Sequence, residues 1–212
     1  MTTLWLARHA ETASPNVFHG AESDVELGHH GWQQVRAAAE WYADVVRPTV
    51  VVSSGMRRAK QTAGVIAERC GVPHEIEIDL HERRVGDLGG TSFRGNEGPW
   101  PETIRQWCAG NADFTTPGAE SFAELTRRLV PAIERVADRN HGGRVAIIAH
   151  GIVCKVLILQ LLPEWDVTGW ERVGHCQNLA VSELIRCNGT WTSGHLLVVP
   201  PAVKRVNDSR IV

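Results

Sequence analysis

The stretch Leu4-Trp5-Leu6-Ala7-Arg8-His9-Ala10-Glu11-Thr12 decides how the rest of the chain is read, because an apolar, strand-like run ends there abruptly on an arginine and a histidine. Val145-Ala146-Ile147-Ile148-Ala149 has the same grammar and ends on His150-Gly151. A third run, Thr49-Val50-Val51-Val52, is continuous and β-branched, the pattern of a strand buried on both faces of a parallel sheet. It leads through Ser53-Ser54-Gly55 into a helical pattern whose first turn carries Arg58. Ligands of open α/β sheets gather beyond the carboxyl ends of the strands. His9, Arg58 and His150 therefore stand at corresponding places after three different strands.

Between these runs lie helical patterns. Gly28 to Val46 places Trp32, Val35, Ala39, Tyr42 and Val46 on one face, and Arg57 to Cys70 buries Ala59, Ala63, Ile66 and Ala67 before Gly71 stops it. Pro73 to Asp79 predicts a short strand and Pro99 to Gly110 a short helix. From Ser121 a longer helix carries Phe122, Leu125, Leu129, Ile133 and Val136, with Pro131 placed to kink it, and Ile152 to Leu162 forms an apolar helix. Asn188-Gly189, flanked by Leu179–Arg186 and Thr190–Val198, predicts a hairpin. The alternation implies a three-layer α/β/α sandwich with a mainly parallel sheet and an antiparallel edge. One domain over residues 1–212 is expected, with 200–212 as an exposed, extended tail. Arg83 to Gly98 is glycine-rich and polar, a loop expected to face substrate.

Composition narrows the function classes. A hydrophobic content of 43% with 22% charged residues describes an ordinary globular protein, and a net charge of −2 gives no general attraction to nucleic acid or to an anionic membrane. No apolar run approaches the ~20 residues of a membrane helix, and the first residues show no secretory signal. The five cysteines are widely spaced without a C-x-x-C pair, which argues against a disulfide framework or thiolate zinc site and for a reducing compartment. A cytoplasmic location is expected. The oligomeric state stays open, with a homodimer among the options.

Arginines at His9, an imidazole that attacks or donates hydrogen bonds, and the helix N-terminus after Gly151 together suggest phosphoryl transfer. Here Arg8-His9-Ala10-Glu11-Thr12 resembles the R-H-G-E-T signature of the histidine phosphatase superfamily, the phosphoglycerate mutase-like proteins. Further segments agree in order: Asp24-x-x-Leu27-x-x-x-Gly31-x-x-Gln34, Ser53-Ser54-x-x-x-Arg58-Ala59-x-Gln61-Thr62-Ala63, Leu80-x-Glu82-x-x-x-Gly86, Pro117-Gly118-x-Glu120-Ser121, His150-Gly151 and Asn178-x-x-Val181-x-x-Leu184. The resemblance implies a phosphoglycerate mutase-like fold and a phosphomonoesterase of the phosphatase branch. His9 would be the nucleophile that forms a phosphohistidine. Arg8, Asn16, Arg58, His150 and Gly151 would hold the phosphoryl group, and Glu82 would serve as general acid and then base. No metal or other cofactor is expected, since two arginines and a histidine can take a metal's place. The partner implied is a small phosphomonoester.

The sequence also departs from that pattern. Ala10 stands where glycine is usual, Asn16 lies one residue later than the family's asparagine, Gly89-Gly90 replaces Glu-Gly, and Ala149 replaces a hydroxyl residue. Arg83 and Arg84 are candidates for a second anionic group on the substrate, and Trp100 and His175 for its rim. His29-His30 lacks the carboxylate or i,i+4 partner of a metal site. Trp5, Trp32, Trp41 and Trp107 fit hydrophobic faces. A cofactor-dependent mutase is the nearest enzymatic rival, although the longer segment of that branch is missing between Glu82 and His150. A noncatalytic phospho-ligand binder on the same scaffold is the rival of another class.

Overall fold

The computed structural model describes residues 1–92 and 98–209. Six strands, β1 (Thr2–Arg8), β2 (Val50–Ser53), β3 (His74–Ile76), β4 (Arg144–Ala149), β5 (Val181–Cys187) and β6 (Thr190–Ser193), form one sheet in the order β3-β2-β4-β1-β5-β6. The β3-β2, β2-β4 and β4-β1 pairs are parallel, and β1-β5 and β5-β6 antiparallel. The expected antiparallel edge is therefore the β5-β6 hairpin. Its turn residues Asn188 and Gly189 have φ of 50° and 79°, the left-handed pair that such a turn demands. The strand after that turn is shorter than its sequence pattern: it ends at Ser193, and Val198 returns only as an isolated bridge to Val181.

The helices are α1 (His29–Trp41, continued by a π-helical turn through Val46), α2 (Arg57–Cys70), α3 (Pro99–Cys108), α4 (Phe122–Arg139), α5 (Gly151–Leu161) and α6 (Pro201–Asp208). Both connections β1-α1-β2 and β2-α2-β3 step the same way across the sheet. Right-handed crossovers therefore put α1 and α2 on one face, where they pack together, while α4 and α5 pack on each other across the return to β4 and out to β5. The central strands carry fully buried residues such as Leu4, Leu6, Val51, Val52 and Val145–Ala149, as a sheet covered on both faces requires. Ser121 caps α4 in a reciprocal capping box with Glu124, and Pro131 sits inside that helix without ending it.

Two expectations change. Residues 201–208 are helical rather than extended: α6 packs on α1, burying Val203, and Asn207 Oδ1 accepts the Gln34 side-chain amide at 2.8 Å, while 210–212 lie outside the described residues. Its periodicity is short and Pro-flanked, so no long apolar run betrayed it. The loop 83–98 is only partly irregular, with a single helical turn at Gly86–Leu88, and residues 93–97 lie outside the described residues. No helix among the described residues is long and apolar enough to cross a membrane.

Candidate active site

Strands β1 and β4 are adjacent, yet the chain leaves β1 for the α1 face and leaves β4 for the α5 face. Such a switch point opens a crevice at the strand ends. A cavity of about 640 Å³ lies there, lined by Arg8, His9, Arg58, Glu82 and Gly151 at its floor. His9 and Arg58 are almost sealed from solvent, at 5% and 2% exposure.

The tautomer of His9 follows from its partners. Nδ1 lies 2.7 Å from the Ala10 carbonyl, which only accepts, so Nδ1 carries the proton. Nε2 accepts from Arg58 Nε at 3.2 Å, so its lone pair faces the guanidinium. Burial first, then Arg58 and Arg8, hold the His9 pKa well below the usual 6.5. The ring is thus neutral and armed at the nitrogen nearest the arginine. Arg58 in turn is fixed by the Gly20 and Ser23 carbonyls at 2.9 and 2.8 Å, and Arg8 by the Cys176 carbonyl at 2.9 Å.

His150, fully buried, packs edge-on against His9 with ring centroids 5.2 Å apart and does not itself line the cavity. Its Nε2 lies 2.7 Å from Ser54 Oγ. Because that oxygen already receives the Met56 amide, its proton is free for Nε2. The proton of the neutral ring then sits on Nδ1, a buried atom without a protein partner among the described residues. Burial, then Arg58, His9 and Arg8, keep this ring neutral too. Glu82 is held where the sheet end meets α5, accepting from the Arg83 amide at 2.9 Å and the Ile152 amide at 3.4 Å.

The remaining motif residues hold this floor. Thr62 accepts from the Ala10 amide, Gln34 from Glu11 and Gln61 from Leu27, and Asn178 donates to the His9 carbonyl. Gly31 is required by space, since a Cβ there would stand 2.0 Å from the Glu11 carbonyl. Gly86, at φ 54°, meets the Pro117 carbonyl at 2.2 Å in the same test. Ala10 has no positive φ, which explains why a side chain replaces the usual glycine.

Asn16, Trp100 and His175 line the cavity as expected, whereas Arg83 and Arg84 do not. Arg83 is fully buried, bonded to the Glu120 carbonyl and Thr115 Oγ1 and stacked 5.3 and 5.5 Å from the Trp100 and Trp107 rings, so it supports the wall from behind. Arg84 points outward to pair with Glu120 at 3.5 Å. In their place the cavity contains a cation the sequence reading passed over, Lys155, together with Phe18, Ile104 and Trp170. Its signal was a lone charge inside the apolar run of α5. His29 and His30 bond to Gln33 and Asn207, and among the described residues no cluster of three metal-ligating side chains occurs.

A family model for the histidine phosphatase superfamily, branch 1, matches residues 4–197. A metal-independent phosphoserine phosphatase from Arabidopsis thaliana is 36% identical over 204 residues, covering 84% of this chain and 85% of its own. A probable phosphoglycerate mutase from Salmonella paratyphi C is 30% identical, with 93% and 91% covered. Among solved structures, a mycobacterial glucosyl-3-phosphoglycerate phosphatase superposes with a TM-score of 0.79 at 27% identity, covering 93% of this chain and 99% of that one. The ordered motifs, the switch-point site and these likenesses agree, and the chain belongs to branch 1 of the histidine phosphatase superfamily.

Proposed function

We propose that this phosphomonoester hydrolase acts on a small phosphorylated metabolite through His9. The observation that carries this reading is the neutral His9 ring with its Nε2 lone pair 3.2 Å from Arg58 Nε in a sealed, cationic floor. Nε2 attacks phosphorus and the ester P–O bond breaks. Glu82 acts as the general acid and gives a proton to the leaving oxygen. Glu82, now a carboxylate, takes a proton from water, whose oxygen displaces Nε2, releasing phosphate and restoring both groups.

Each neighbour has a physical task. The Arg58 guanidinium is tethered through two carbonyls, so when Nε2 is consumed its Nε–H is free to turn its bond to a phosphoryl oxygen. Arg8, the His150 Nδ1–H and the α5 N-terminus at Gly151 supply the remaining donors, and the buried setting strengthens all of them. Asn16 stands at the cavity edge for a further phosphate contact. These residues provide the charge compensation that a divalent metal supplies elsewhere, so turnover should persist in excess chelator. The five free thiols fit a reducing, cytoplasmic setting.

The test is phosphate release from p-nitrophenyl phosphate with chelator present, and its loss in His9→Ala by on the order of a thousandfold or more. Turnover surviving in that variant would overturn the nucleophile. Isomerised phosphoglycerate with little free phosphate would instead place the chain with the mutases.

A further inference from the structure

Lys155 lies on α5 about one turn beyond Gly151, hence roughly 6 Å farther along the helix from the phosphoryl floor. Its stem is partly buried and its Nζ sits 4.1 Å from the centroid of the Trp170 ring. Among the described residues that ammonium has no hydrogen bond or ion pair, although it lines the same cavity as His9. A cation held on an aromatic face inside a cavity, with its N–H groups unspent, is arranged to receive an anion. Burial pushes its pKa down to about 8, the mark of an ammonium short of solvation, and the nearby Cys176, Cys108 and Glu171 offset this only in part.

The charge count limits what that anion can be. Lys155 brings one positive charge, still present at pH 7. His175 beside it is kept neutral by burial and by Arg8 and Lys155. A carboxylate matches this single charge, whereas a second phosphate dianion would remain half uncompensated in a partly dry site. Resting on the phosphatase reading above, we infer that Lys155 is a specificity-determining residue that binds a carboxylate on the leaving group, so that the substrate class is carboxylated alkyl phosphates.

The probe is a pair of compounds of equal length, 3-phosphoglycerate and glycerol 3-phosphate, which differ by carboxylate against hydroxymethyl. The wild type should prefer the acid in kcat/KM by about tenfold or more, a charge-assisted hydrogen bond's worth of discrimination, carried mainly by KM. Lys155→Met, which keeps the stem against Trp170, should bring the ratio near one, and Lys155→Arg should keep most of it. A wild-type ratio of one or less, or a ratio that survives in Lys155→Met, overturns the inference and leaves the phosphatase reading standing. Release of phosphate from neither compound nor from p-nitrophenyl phosphate overturns that reading, and the inference with it.

Discussion

The floor and the outer wall of the cavity are built on opposite principles. On the floor, Arg8, His9 and Arg58 are each aimed by a hydrogen bond to a backbone carbonyl of known position. The wall is a stack of edge-to-face aromatics, Phe18, Trp100, Trp107, Trp170 and Phe122, with ring centroids 4.8 to 6.4 Å apart and the Arg83 guanidinium behind them. A directed hydrogen bond tolerates one residue type at one place, whereas a packed aromatic surface tolerates many solutions of similar volume. The floor is therefore the part that fixes the reaction, and the wall the part free to fix the substrate.

Glu82 lines the same cavity, and after His9 its substitution should have the largest effect. Glu82→Gln keeps an oxygen to accept from the Arg83 amide but has no proton to give. For an alkyl phosphate, whose leaving oxygen needs that proton, kcat/KM should fall by on the order of 10²–10³. For p-nitrophenyl phosphate, whose leaving group departs as an anion, the fall should be far smaller. Equal losses on both substrates would assign Glu82 to orientation rather than to acid catalysis.

Arg83→Lys probes the wall at an intermediate scale. A lysine cannot reach both the Glu120 carbonyl and Thr115 Oγ1 and lies flat on neither Trp100 nor Trp107. The cost should be about 1–3 kcal/mol of stability, read as a lower denaturation midpoint, with the kcat of His9 chemistry affected least. If Arg83 contacted substrate directly, as its position after Glu82 suggests, KM would rise with stability intact. The side chain is fully buried rather than at a solvated rim, and that burial lowers its pKa to about 10.

The same contrast explains how much the sequence disclosed. Strand ends at Arg8-His9 and His150 are legible because burial on both faces writes continuous apolar runs that stop where chemistry begins. Gln34, Gln61 and Thr62 belong to recognisable segments, but their work, holding the Glu11, Leu27 and Ala10 amides, is visible only once distant residues meet. Arg83 was misread because a charged residue after an acid looks the same in sequence whether it faces a cavity or a stack of indoles. Lys155 was missed because reading Ile152 to Leu162 as an apolar helix counts the apolar residues and sets aside the exception. Helix α6 has too short a pattern to announce itself, and its anchoring bond, Asn207 to Gln34, spans 173 residues.

Acid distinguishes the two regions by their buried charges. His9 and His150 have folded pKa values well below 6.5, so near pH 6 an unfolded chain binds protons at these two sites that the folded chain refuses. Protons held in excess by the unfolded state make stability rise with pH; it is complete above 6.5 and is lost as pH falls from 6.5 toward the folded values. Each histidine contributes a slope approaching about 1.4 kcal/mol per pH unit within that window. The partly buried His19, His74 and His175 are shifted the same way, so the clean measurement is a difference. Urea unfolding between pH 7.5 and 5.5 should show a shallower decline in His150→Asn than in the wild type, by close to one proton's slope. Parallel declines would mean that His150 is already charged in the folded protein. The wall's cations lose charge only on the alkaline side, Lys155 near 8 and Arg83 near 10, so mild acid should weaken the floor while leaving the cations packed on the aromatic wall as they are.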